Sequence, residues 1–281
     1  MKRSMQLKAL IRNISKEKSV ESEVILRNFM LERFLERISV SQYREKFILK
    51  GGMLIAAMVG IDSRSTMDMD ATISGVEFSE DVLKETIENI LAIQIDDGVS
   101  MTLMGLENIR DESEYPGIRV SIEAILEKTR QIMKVDVTAG DIITPRAMEY
   151  SFKLLFEERK ISILAYNLET VLSEKLETIL IRGTTTTRMR DYYDIYILTN
   201  LRASIIDWDI FHKAFKRTSE KRESYEKIIA SGIGLLQEIE KSKTQIELWK
   251  RYQKKNNYAA DLEWDQVIKS LHELYSKAII N

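Results

Sequence analysis

Between residues 5 and 45 apolar positions recur at helical spacing, with Val24, Ile25, Phe29, Phe34, Leu35 and Ile38 on one stripe. The segment reads as two or three amphipathic helices whose stripe packs into a core. Phe47-Ile48-Leu49 is then a short apolar strand ending at Gly51-Gly52, and Met53 to Val59 reads as a buried helix that stops at Gly60. From Thr66 to Ile73 the pattern alternates like a strand, with Met67, Met69 and Ala71 on one face and Asp68 and Asp70 on the other. Asp81 to Ala92 reads as an amphipathic helix, with Ser79 as its N-cap and acidic residues in its first turn. Three strand-like segments follow at Ser100–Ile109, Gly117–Leu126 and Gln131–Val137. After about residue 165 the pattern is helical to the end of the sequence. It predicts an α+β fold: a mixed-sheet lobe over residues 1–150 and an all-α lobe over 151–281, joined near residues 140–165.

Composition narrows the chemistry. The 281 residues are 44% hydrophobic and 31% charged, the profile of a globular protein with a substantial core. No run approaches the length of a membrane span, and the basic start continues into an amphipathic helix instead of a signal peptide. The expectation is a cytoplasmic protein that does not enter a membrane. With Cys 0 and His 2, at His212 and His272, thiolate sites, histidine zinc sites and histidine triads have almost no material. A metal would be held by carboxylates, which favours Mg²⁺ or Mn²⁺. The net charge of −2 hides an uneven distribution: Lys213 to Lys255 carries 12 Lys+Arg against 6 Asp+Glu. That stretch suits local RNA binding or simply a solvated helical face.

Two carboxylates at i, i+2 on a strand, Asp68 and Asp70, share a face and repel each other unless a cation lies between them. Mg²⁺ suits such a pair, because it takes one or two carboxylates and fills its other positions with water and substrate phosphates. Gly51 and Gly52, at the start of a helix, supply backbone N–H groups that can approach a phosphate. Arg64, Ser65 and Thr66 precede the acids and offer a guanidinium and hydroxyls to phosphate oxygens, although the hydroxyls equally suit turn chemistry. Asp136, in Lys134-Val135-Asp136-Val137, is a third acid on a neighbouring strand and a candidate metal ligand or base for the nucleophile. In the helical half, Asn167 reads as the N-cap of Leu168–Ile181. Lys175, Arg182, Arg188 and Arg190 gather positive charge around an irregular threonine loop. Lys175 suits a triphosphate as a point charge, and Asp191 and Asp194, at i, i+3, can orient it; ordinary helix charges give the same pattern. Tyr192 and Tyr193 suit either base stacking or helix packing.

Taken in order, Lys-Gly-Gly, Arg-x-Thr-x-Asp-x-Asp, Lys-x-Asp-x-x-x-Gly, Ser-Glu-Lys-Leu-Glu-x-Ile-x-x-Arg and Arg-x-Arg-Asp-x-Tyr-Asp-Ile span roughly residues 45–200. This combination resembles the AbiEii/AbiGii toxin family, nucleotidyltransferase-fold proteins of abortive-infection and toxin–antitoxin systems related to the MenT toxins. The resemblance implies a bi-lobed, nucleotidyltransferase-like protein with Gly51 and Gly52 in the glycine motif and Asp68 and Asp70 as the metal pair. Lys134 and Asp136 match the second motif, Lys175 the lysine that contacts the nucleotide triphosphate, and Asp191 the acid of the last motif. Fifteen residues separate Gly52 from Asp68, longer than is usual in the wider superfamily, with Arg64–Thr66 as the insertion of this branch. The resemblance also implies Mg²⁺ (or Mn²⁺) as cofactor, an NTP as substrate and nucleotide addition to an RNA, above all the tRNA 3′ end. It further implies an AbiEi-like antitoxin without a stable complex. A monomer is expected. Transfer to a protein or small molecule, and a binding protein without transfer activity, remain the alternatives at this point.

Overall fold

The computed structural model describes residues 4–109 and 117–279, so Pro116, one of the two prolines, lies outside the described residues. The chain forms two compact units, one of residues 1–141 with 147–166, the other of residues 142–146 with 167–281. The helical unit thus begins at Asn167 and takes back a short stretch from before the last two strands, whereas the expected boundary was 150/151.

In the first unit α1 (Ser4–Lys18) and α2 (Ser22–Val40) precede β1 (Phe47–Lys50) and α3 (Gly51–Val59). Then come β2 (Met69–Ile73), α4 (Glu80–Leu91), β3 (Val99–Ile109), β4 (Gly117–Leu126), β5 (Thr129–Ala139), β6 (Met148–Lys153) and β7 (Lys160–Ala165). The seven strands form one mixed sheet in the order β3-β4-β5-β2-β1-β7-β6. β1 runs antiparallel to β2 and parallel to β7, β2 runs parallel to β5, and the remaining neighbours are antiparallel. The alternation along β4 and β5 sends Val120, Ile122, Ala124, Met133, Val135 and Val137 into the core, all fully buried. α2 packs on β5, β7 and α4, and every residue of its expected apolar stripe is buried. Each such Leu, Ile or Phe contributes on the order of 1.5–3 kcal/mol by leaving water.

α2 also buries charge, which its periodicity does not reveal. The loop between β6 and β7 lies against it: Leu155 donates its N–H to both oxygens of Glu32 (3.1 and 3.0 Å), and Glu157 pairs with Arg33 at 3.0 Å. Burial raises the Glu32 pKa from about 4.5 to about 8, against the lowering effect of the Leu155 N–H and the Arg33 charge. β6 and β7 form a hairpin not anticipated from the sequence. β6 is an edge strand whose side chains are mostly exposed, so it lacks a clear apolar alternation.

In the second unit α5 (Leu168–Arg182) is central and packs against α6 (Met189–Leu201), α7 (Trp208–Lys221), α8 (Tyr225–Lys241) and α10 (Trp264–Ala278), with α9 (Lys243–Lys255) against α6. Asn167 caps α5 as the sequence predicts, accepting from the Thr170 N–H at 2.9 Å. Tyr192 and Tyr193 are both buried, Tyr192 against Trp264 (ring centroids 5.5 Å) and Tyr193 against Tyr258 (4.8 Å). Both rings therefore pack the helical core and neither presents a face for stacking. Among the described residues no helix is long and apolar enough to cross a membrane.

Candidate active site

In the sheet unit, register lines up a row of charged side chains. Lys50 on β1 lies opposite Asp70 on β2, Asp70 opposite Asp136 on β5, Asp136 opposite Arg119 on β4, and Arg119 opposite Glu107 on β3. Facing partners in a ladder point the same way, so these side chains share the face opposite the apolar core residues of β4 and β5. Asp68 sits in the bend just before β2 and is exposed; Asp70, inside the strand, is half-buried. The i, i+2 pair is therefore split between a bend and a strand, because β2 begins three residues after the expected start at Thr66.

The glycine pair makes room for this row. α3 starts at Gly51, two residues before the expected helix, with Lys50 extended at its N-cap. Gly51 has φ +65°, and a Cβ there would lie 2.0 Å from Asp70 Oδ2. The Gly52 N–H points at the same oxygen at 3.3 Å, and a Cβ at Gly52 would meet Thr66 Oγ1 at 2.8 Å. The helix N-terminus is thus turned on the Asp70 carboxylate itself. Arg64 is buried; it donates to the Ser65 carbonyl, and its Nη2 would lie 3.1 Å from a Cβ at Gly52. Thr66 is also buried, its hydroxyl donating to the Asp68 carbonyl (3.2 Å), while Asn28 Nδ2 donates to the Thr66 carbonyl (2.7 Å). In this structure Arg64 and Thr66 thus shape the loop that delivers Asp68 and Asp70, and Ser65 is half-buried beside them.

Asp136 has a partner that the sequence reading missed. Arg119 Nε and Nη2 donate to its two oxygens at 2.8 and 2.7 Å, a bidentate fork. This hydrogen bonding raises the Arg119 pKa further, against partial desolvation, with help from the charges of Asp136, Asp68 and Glu107. Among the described residues no group of three acids or histidines is close enough to form a ligand set. In this structure Asp136 is held by Arg119 and is not gathered with Asp68 and Asp70 into one group of ligands. Asp68 and Asp70 still fit a hard divalent cation: both donate oxygen only, and Gly51 leaves the Asp70 carboxylate a cradle that a Cβ would fill. Lys134 is exposed two residues from Asp136 on the same face of β5.

Beside this row lies a second network that spacing did not indicate. Lys50 Nζ reaches Thr138 Oγ1 at 2.7 Å and also the Asp141 carboxylate, which accepts from the Tyr166 hydroxyl at 2.9 Å. Burial alone would raise the Asp141 pKa, but Lys50, through charge and hydrogen bond, together with Thr138 and Tyr166, holds it below the usual value. It ties the ends of β1, β5 and β7 together at the root of the glycine turn.

In the helical unit Lys175 on α5 lies between two carboxylates of α6, 2.7 Å from Asp191 Oδ1 and 2.7 Å from Asp194 Oδ2. Burial pulls the lysine pKa down, but the two carboxylates outweigh it and the net shift is upward, so the ammonium stays charged. Asp194 is fully buried, and Arg188 Nε approaches Asp191 Oδ2 at 3.6 Å. Arg190, next to Asp191 in the first turn of α6, is exposed. Gln245 on α9 fixes the threonine loop before α6 by donating to the carbonyls of Thr184 (2.8 Å) and Thr186 (2.9 Å). Arg222 excepted, every lysine and arginine from Lys213 to Lys255 is exposed. Arg222 pairs with Glu177 at 2.6 Å and approaches Glu174 at 3.6 Å.

Several solved structures resemble the chain in broad outline. A candidate nucleotidyltransferase from H. pylori is 12% identical, with a TM-score of 0.49, covering 92% of this chain and 97% of its own. JHP933 from Helicobacter pylori is also 12% identical, with a TM-score of 0.47 and coverages of 92% and 91%. An antigenic nucleotidyltransferase-like protein from Paracoccidioides brasiliensis is 12% identical, with a TM-score of 0.38 and coverages of 70% and 90%. No curated protein matches the chain. The family described as the nucleotidyl transferase AbiEii toxin of type IV toxin–antitoxin systems matches residues 33–270, a span that takes in the acidic row of the sheet and the lysine cluster of the helices alike. The chain belongs to the AbiEii family of nucleotidyl transferase toxins.

Proposed function

We propose that this toxin transfers a nucleotidyl group from an NTP to RNA, in the first place to the 3′ end of tRNA, and thereby blocks translation and growth. The observation that carries the reading is the cradled Asp70: its carboxylate receives the first turn of α3, next to Asp68 and in register with Asp136. In the transfer the acceptor hydroxyl oxygen bonds to the α-phosphorus and the bond to the β-phosphate oxygen breaks, releasing pyrophosphate. Asp68 and Asp70 would hold Mg²⁺ or Mn²⁺, which supplies charge neutralisation for the triphosphate and polarises the α-phosphoryl group. Asp136 orients the acceptor hydroxyl and takes its proton. Within the helical unit, Lys175 stays charged between Asp191 and Asp194, which is what the triphosphate-contact role implied by the family resemblance requires of it, with Asp191 as its orienting partner and Arg190 at the surface beside it. The exposed basic residues of α7 to α9 suit an RNA backbone. The type IV family implies an antitoxin partner, and we propose that it acts without a stable complex, on a monomeric toxin in the cytoplasm.

The test is incubation of purified protein with total tRNA, Mg²⁺ and each α-³²P-labelled NTP, with Asp70→Asn as control. Label on tRNA from one NTP, absent with the variant, supports the reading and reports the nucleotide preference. No label on any RNA, together with NTP binding lost in the variant, would move the acceptor to a protein or small molecule or leave a binding role alone.

A further inference from the structure

The bidentate contact to Asp136 has an architecture that a surface ion pair does not need. Arg119 lies directly opposite Asp136 in the β4–β5 register and reaches it through two parallel N–H groups at 2.8 and 2.7 Å. The fork fixes the carboxylate plane as well as its position, which an ammonium cannot do. The guanidinium is also within electrostatic reach of Asp68. It is 37% exposed and Asp136 21% exposed, so the pair is too wet to be a major contributor to folding. A half-exposed arginine that takes both oxygens of one acid and senses a second is placed to control the charge of the row.

We propose that Arg119 is a positioning residue of the transfer site: it holds Asp136 in its working orientation and provides a counter-charge to Asp136 and Asp68 until a divalent cation is bound. The inference rests on the proposed function, since it concerns the same row. It separates two effects of one side chain. The fork sets the orientation of Asp136 and so supports turnover. The positive charge opposes a second cation beside Asp68 and so weakens metal uptake. Removing Arg119 therefore improves one property and damages the other, whereas a purely structural residue moves neither in opposite senses.

The experiment titrates Mn²⁺ directly, following free Mn²⁺ by electron paramagnetic resonance, for the wild type, Arg119→Gln, Arg119→Lys and Asp70→Asn, and measures transfer to tRNA for each. Arg119→Gln is expected to bind Mn²⁺ about threefold tighter or more, from the lost like charge, while kcat falls about tenfold or more with the NTP KM within about threefold. Arg119→Lys keeps the charge and loses the fork, so its Mn²⁺ affinity stays within about twofold of wild type while kcat still falls. Circular dichroism and thermal unfolding verify that each variant is folded. If Arg119→Gln matches the wild type in both readouts, or binds Mn²⁺ more weakly, the role of Arg119 is overturned while the metal pair stands. If Arg119→Lys restores full turnover, the fork is not what positions Asp136 and the proposal falls. If the wild type takes up no Mn²⁺ and Asp70→Asn is indistinguishable from it, the proposed function itself fails at its metal step, and the Arg119 inference with it.

Discussion

The acidic row of the sheet and the Lys175 cluster of the helices both place carboxylates around cations, yet they are built in opposite ways. In the sheet, Asp70, Asp136 and Arg119 come from three strands and meet through register, on a face where Asp68 is exposed and Asp70 half-buried. In the helices, Asp191 and Asp194 come from one turn of α6 and close on a single lysine, with Asp194 fully buried. The first arrangement is open to solvent at Asp68, where a cation or a phosphate-bearing substrate can approach. The second is nearly sealed, so its charges depend on one another for stability as well as for any contact with substrate. A motif residue can thus be expendable to the fold in one unit and essential to it in the other.

The contrast can be broken at its strongest point with Asp70→Asn and Lys175→Met compared side by side. Asp70→Asn is expected to cut transfer about a hundredfold or more by removing a metal-binding charge. Its stability should stay within about 1 kcal/mol of wild type, because the site is half-exposed. Lys175→Met leaves two carboxylates, one of them fully buried, without their cation, and is expected to cost about 3–5 kcal/mol in urea unfolding. Similar stability losses in both variants would erase the distinction drawn here. Gly51→Ala probes the cradle: the left-handed backbone costs about 1–2 kcal/mol for a residue with a Cβ, and the side chain displaces Asp70. Transfer is expected to fall by about tenfold or more, with Mn²⁺ affinity falling in parallel; wild-type activity would mean that the close approach to Asp70 is incidental.

A pH-dependent test away from both clusters extends the contrast to a buried acid. Glu32 has its pKa raised to about 8, so the folded state holds its proton more tightly than the unfolded chain does. Its contribution to stability is complete below about pH 4.5 and declines as pH rises from there through 8. Glu32 is faced by Arg33, Glu36 and Glu157, and Leu155 donates to it. Glu32→Gln keeps an acceptor for Leu155 and removes the titration. Its melting temperature should approach or exceed that of the wild type at pH 9 and trail it at pH 5. Parallel melting curves for the two proteins across that range would show that Glu32 does not titrate with folding.

Local signals were legible wherever the physics is local. The caps Ser79 and Asn167, the helical stripe of α2 and the alternation of β4 were readable, because periodicity and capping involve residues a few positions apart. β4 was read with its observed bounds, Gly117–Leu126. The β6–β7 hairpin was missed because β6 is an edge strand with little apolar alternation, and because β7 finds its place by pairing in parallel with β1, more than a hundred residues earlier in the chain. Among the candidate residues, Asp68 and Asp70 were legible from their chemistry on one expected strand, and Lys175 and Asp191 from the family resemblance. Arg119 was not, since one arginine on an alternating strand has no distinguishing neighbour in the sequence.

The sequence by itself determined the α+β class, most of the elements, the oxygen-only donors available to a metal, and the ordered motifs that mark the AbiEii family. Only the tertiary structure decided which charges meet. Strand register put Asp136 between Asp70 on β2 and Arg119 on β4, and packing of α5 on α6 enclosed Lys175 between Asp191 and Asp194. The reason is that periodicity specifies which face a side chain occupies, while its partner across that face depends on how strands and helices distant in the chain are aligned.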